Sequence, residues 1–154
     1  MERFKEDLKQ AIKNIKIADH MTYVTLPLVN EKRLILKIFD EIHKSIINCI
    51  NASLNYEYLY KRIKLYNSRD KNIETFLKKC AKNYSLTNQQ IEKIKEILII
   101  NKKHKQSAME FVKKEKVIIL SDNLKTKYLD IEIIKEYLLL TKELFIKLNK
   151  KMNQ

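Results

Sequence analysis

The stretch LILKIFDEIHKSIINCINASL, residues 34–54, decides the fold. Its apolar residues Leu34, Ile35, Ile38, Phe39, Ile42, Ile46, Cys49, Ile50 and Leu54 recur at three- and four-residue spacing. That is the period of a helix with a buried side, not the two-residue alternation of a half-buried strand. The stripe is long enough to form a central helix, with Asn30 as a fair N-cap and a C-terminal end reaching toward Leu65.

Working outward, the same periodicity predicts a helix from Arg3 to about Thr25, with Phe4, Leu8, Ala11, Ile12, Ile15, Ala18 and Tyr23 on one side and Leu26-Pro27 ending it. On the other flank, Asn67-Ser68-Arg69-Asp70 reads as a loop. A shorter helix follows from Asn72 to Tyr84 and buries Ile73, Phe76, Leu77 and Cys80. Thr87 with Gln90 three residues later matches a capping box, ahead of a helix that buries Ile91, Ile94, Ile97 and Leu98 and ends in Lys102, Lys103 and Lys105. A last helix starts near Asp130 and carries Ile133, Ile134, Tyr137, Leu138, Thr141, Leu144 and Leu148 in register.

Between these two helices lies HKQSAMEFVKKEKVIIL, residues 104–120, followed by a turn signal at Ser121-Asp122-Asn123. Met109, Phe111 and Val112 finish a helix or begin an extended connection, and the β-branched run Val117 to Leu120 reads as a short strand or buried crossing. The expected fold is therefore all-α: one domain over residues 1–154, an antiparallel bundle of about five helices, with a short extended segment near 111–121. The composition agrees, since the chain has no glycine and a single proline, Pro27, and so lacks the punctuation of turn-rich β proteins.

The formal net charge of +13 points to acidic partners, with nucleic acid first and an anionic membrane surface second. The bases are almost all lysine; arginine occurs only at 3, 33, 62 and 69, so the charge lacks the bidentate chemistry typical of base readout and also fits a low-GC composition. Cys49 and Cys80 stand alone, without metal-ligand spacing, and read as core residues. The charged N-terminus and the lack of an apolar run of about 18 to 20 residues give no sign of a transmembrane segment and suggest a cytoplasmic protein.

Catalytic motifs are absent: without glycine there is no phosphate-binding loop, dinucleotide fingerprint or nucleophile elbow. Asp40-x-x-His43 has helical i, i+3 spacing but no matching pair elsewhere, so no metal and no cofactor are expected. Asp19 and His20 are adjacent on a helix and point apart, and Ser107 near His104 lacks an oxyanion-binding elbow. The segment YEYLYKRIKLY, residues 56–66, has two readings: Tyr56, Leu59, Tyr60 and Ile63 as a core stripe, which is preferred, or rings that stack bases beside Lys61, Arg62 and Lys64.

Two blocks, IADHMTYVTLPLVNEKRLIL (residues 17–36) and HKQSAMEFVKKEKVIIL, resemble a family of small archaeal helical proteins to which no activity is assigned. A basic bundle with a long central helix also resembles the HEPN group, which includes RNA-cleaving toxins and inactive relatives. Active members use a closely spaced Arg and His, whereas here nine residues separate Arg33 from His43. The resemblance then implies a non-catalytic binding or scaffold role.

Three functional expectations follow. The first is a non-enzymatic protein binding RNA or an RNA-containing assembly through Lys61, Arg62, Lys64, Lys102, Lys103, Lys105, Lys113 and Lys114. The second is a protein-interaction module, a homodimer or a toxin–antitoxin-like partner, using an apolar face around Phe111 to Leu120. The third is an atypical HEPN-like ribonuclease with His43 or His104 as acid–base and Arg62 as phosphate stabiliser.

Overall fold

The computed structural model describes residues 2–29, 31–106, 109–113, 116–120 and 126–153, with side chains described outside 105–127. The expected helical bundle is observed. Its main helices are α1 (Arg3–His20), α3 (Leu34–Leu59), α5 (Asn88–Gln106) and α6 (Ile131–Met152), with the short α2 (Leu26–Val29) and α4 (Arg69–Thr75) between them.

α3 is the central helix because it has two faces to bury. One row of residues, Ile35, Ile38, Ile42, Ser45, Cys49 and Ala52, follows the three-four spacing of a packing seam, and a second row adds Phe39, Ile46, Ile50 and Leu54. α1 brings its own seam of Phe4, Leu8, Ala11, Ile15 and Ala18 against α3. The alanines and Ser45 let the backbones approach, so that the Ser45 hydroxyl donates to the Ala11 carbonyl at 2.9 Å. Flanking this contact, Asn48 donates to Asn14 (3.0 Å), Asn14 to Glu41 (2.9 Å) and Asn55 to Asp7 (2.7 Å), which fixes the antiparallel register. α6 also packs on α3, with Tyr137 tilted against Phe39 at 6.3 Å between ring centroids.

Helix ends explain most of the remaining boundaries. Thr87 and Gln90 make the expected capping box, each backbone N–H donating to the other's side chain at 3.0 Å. Asp130 caps α6 by accepting from the Ile133 N–H at 2.9 Å. Pro27 does not end the first helix. The chain widens into a π-helical turn over Met21–Thr25, where the Leu26 N–H reaches back five residues to Met21, and continues through Pro27 to Val29. A wider turn makes room for a ring that would otherwise press on the Tyr23 carbonyl. Ser68 is a cap rather than a loop residue: it accepts from Lys71, so Arg69 and Asp70 already belong to α4. Asn30, the expected cap of α3, lies outside the described residues; Arg33 precedes the helix and makes no side-chain cap.

The expected extended segment is a three-stranded antiparallel meander of β1 (Met109–Lys113), β2 (Lys116–Leu120) and β3 (Thr126–Leu129). Its register pairs Met109 with Leu120 and Val117 with Leu129. β2 lies beside α5, and Leu129 is fully buried in the bundle core. The turn residues Ser121, Asp122 and Asn123 fall outside the described residues, as does Lys114.

α3 stops at Leu59, short of Leu65. Lys61 adopts a left-handed conformation (φ 58°), its N–H returns to the Tyr58 carbonyl and the Arg62 N–H to the Glu57 carbonyl, each at 2.9 Å. This is a Schellman closure with lysine where glycine is usual. Ser85 (φ 60°) ends the turn after Tyr84 in the same conformation, and Lys147 of α6 donates to its carbonyl at 2.8 Å. Lys61→Gly and Ser85→Gly should each raise stability in urea denaturation by about 0.5–1 kcal/mol, since a left-handed Cβ is unfavourable. A loss of stability in both variants would contradict the left-handed closures.

Candidate nucleic-acid interface

The closure of α3 is built around a buried carboxylate. Glu57 is 1% exposed, and an ionised group at that depth requires partners. Arg62 Nη1 donates to Oε2 at 3.1 Å and the Tyr84 hydroxyl donates to Oε1 at 3.0 Å. Side chain and backbone therefore act together: the Schellman turn reverses the chain at Lys61 and brings Arg62 back over the last turn of α3. The guanidinium also stacks on Tyr60, 5.1 Å from the ring centroid.

This geometry divides the aromatic segment. Tyr56 points inward, edge-on to Phe4 at 5.1 Å, and Ile63 packs against the core, as the core-stripe reading expects. Leu59 and Tyr60 do not follow that stripe: Leu59 is the last residue of α3 and stays exposed on it, and Tyr60 falls in the turn that ends the helix. They are exposed together with Tyr58 (55%), Tyr66 (46%), Lys61 and Lys64. Beyond the turn, Tyr66 and Asn72 exchange hydrogen bonds of 2.8 and 2.9 Å, which ties the loop to α4. Arg3, Phe4, Tyr58, Leu59, Lys61 and Leu65 line a groove of about 540 Å³ between this loop and the start of α1. The groove thus sets Tyr58 beside Arg3 and Lys61, while Tyr60 carries the Arg62 guanidinium and Tyr66 lies near Lys71.

The other expected contacts are distributed elsewhere. Lys102 is exposed and Lys103 half-buried on the last turns of α5, while the side chains of Lys105 and Lys113 and all of Lys114 lie outside the described residues. His43 is buried on α3, and His104 Nε2 on α5 approaches Asp40 Oδ1 to 4.0 Å. The histidines are thus on facing helices, yet Arg62 is not with them. Its anchor Glu57 lies fourteen residues beyond His43, about 21 Å along the α3 axis. Among the described residues no group of three His, Cys, Asp or Glu side chains is placed to hold a metal, and no helix is long and apolar enough to cross a membrane. The apolar side chains from Phe111 to Leu120, on which the protein-interaction expectation rests, are outside the described set. No protein-family model matches the chain, and no curated protein or solved structure matches it at a significant level.

Sequence reasoning missed Arg3 as part of this surface, because its approach depends on α1 packing antiparallel to α3. The Schellman turn had no glycine to announce it.

The cysteines are sealed into the same core. Burial pushes the Cys49 thiol up to about 12 and the Cys80 thiol up to about 11, the nearby Glu57 charge adding to the second. Both groups are thus protonated in the native state at neutral pH and inert to thiol reagents. Because the folded values lie above the ordinary 9.0, the unfolded chain releases its thiol protons first as pH rises. Their stabilising contribution is complete below pH 9.0 and disappears through about 11 to 12. Native protein should not react with Ellman's reagent at pH 8, whereas unfolded protein should release two equivalents; a fast native reaction would contradict the burial.

Proposed function

We propose that the protein binds single-stranded RNA through the segment Tyr58 to Tyr66, as a non-catalytic module. The observation that carries this reading is the exposure of Tyr58, Tyr60 and Tyr66 beside Lys61, Arg62 and Lys64 on a backbone held by Glu57. Unpaired bases stack on aromatic faces, and cations spaced along the same loop neutralise the intervening phosphates. Single strands suit the surface better than a duplex, whose bases are already stacked and whose deep groove side chains do not read.

The roles of the cations differ. Arg62 compensates Glu57 and orients Tyr60, so Lys61 and Lys64 are the principal phosphate ligands, with Arg3 at the edge of the groove. The lysines recognise charge without forming a bidentate fork, which supports binding with little sequence preference.

Fluorescence anisotropy with a short single-stranded RNA at several salt concentrations tests this reading. Affinity should fall steeply with salt, and Lys61→Ala/Lys64→Ala should flatten the log–log slope by about 1.4, two phosphate contacts at roughly 0.7 each. Tyr58→Ala should cost about 1–3 kcal/mol of binding with the slope retained. An affinity indifferent to salt, or unchanged in all three substitutions, would remove the proposal.

A further inference from the structure

The outer side of α6 carries two apolar residues that the bundle does not cover. Leu139 is 58% exposed and Ile146 62% exposed, and their seven-residue separation puts them on one line of the helix. Single exposed apolar residues are common on protein surfaces, so exposure alone decides nothing. The surroundings add more. Leu139 forms a ridge between two grooves, one of about 290 Å³ toward Tyr23 and Lys135 and one of about 470 Å³ toward Gln89 and Lys93 at the start of α5. A ridge flanked by grooves is the relief into which another helix packs.

The charges along the same side are ordered. Glu132 and Glu136 stand exposed at its N-terminal end and Lys150 at its C-terminal end. Glu136 has a 4.0 Å approach to Lys93, and among the described residues Lys150 takes part in no ion pair. This order suits the dipole of the helix itself. It is also its own complement when reversed. In an antiparallel pair of α6 helices with the two-fold axis between residues 142 and 143, Leu139 faces Ile146 of the second copy and Glu136 comes within one residue of its Lys150. A parallel pair sets like charges together instead. Near the axis, Lys142 and Glu143 are already engaged within the chain, by Asp19 and by the Gln90 amide. An isologous interface needs such self-complementarity, since one patch serves both subunits.

We infer that the outer side of α6 pairs antiparallel with α6 of a second copy of this chain, Leu139 packing on Ile146 and Glu136 pairing with Lys150. No residue of this contact belongs to the Tyr58 to Tyr66 surface, so the inference stands without the RNA reading. A contact centred on one helix pair lies at the small end of specific interfaces, below about 1,200 Å², so association in the micromolar range is expected.

Sedimentation velocity of the nuclease-treated full chain across the micromolar range tests the pairing. The protein should pass from monomer to dimer with concentration, and Ile146→Lys should weaken dimerisation about tenfold or more by placing a charge in the apolar centre. Glu136→Lys and Lys150→Glu should each dimerise poorly, because each sets like charges together twice in its own dimer. Mixed in equal amounts, the two variants should dimerise again, since both contacts then join opposite charges. Lys61→Ala/Lys64→Ala should leave the dimer unchanged, which separates the pairing from RNA binding. The substituted residues are all exposed, so the variants keep the fold. A monomer at every concentration, a dimer indifferent to Ile146→Lys, or charge variants that do not recover on mixing would overturn the inference.

Discussion

The structure depends on α3 having two faces to bury. A helix with one apolar stripe can lie on the outside of a bundle, but the double row of Ile35, Ile38, Ile42, Cys49 and Ala52 beside Phe39, Ile46, Ile50 and Leu54 must be covered on both sides. α1 covers one side through an alanine-lined seam, and α6 packs on the helix with Tyr137 against Phe39. Polar groups along the α1 contact, from Asp7–Asn55 to Asn14–Glu41, convert hydrophobic packing into a specific register.

The same helix organises the proposed function at its end. Glu57 is the point at which core and surface meet: its carboxylate is buried, yet its principal cation, Arg62, is half outside. Because that carboxylate must be compensated, the chain after Leu59 has to return, and the return leaves Tyr58, Tyr60 and Lys61 facing outward. A glycine-free sequence makes this turn by placing lysine in a left-handed conformation, so the residue that closes the helix also carries charge to the surface. Lysines of α6 serve the opposite flank in a related way, with Lys147 and Lys151 donating to the carbonyls of Ser85 and Asn83. Part of the large positive charge therefore has a structural use.

Much of the fold was legible in the sequence because helical periodicity is local. The stripe of residues 34–54, the Thr87–Gln90 capping box and the Asp130 start of α6 are read within a few positions and are observed as expected. What was not legible depends on contacts or on compensation. Pro27 signals a break, but a π-turn absorbs it. Tyr60 fits a core stripe only if α3 continues, and the reversal at Lys61 carried no glycine signal. The run Val117 to Leu120 announced an extended segment, while the pairing with β1 and β3 required distant partners. Of the candidate sites, the aromatic and basic segment was visible as a composition. Its approach to Arg3 was not, since that depends on how α1 packs against α3.

The central claim is that the end of α3 presents a held aromatic and cationic surface to single-stranded RNA. An amide NMR titration of the protein with a short unstructured RNA tests it most directly. Chemical-shift changes should concentrate in residues 58–66 and at Arg3, with the core of α3 unmoved. Changes confined to other faces of the bundle, or a spectrum unaltered at saturating RNA, would contradict it.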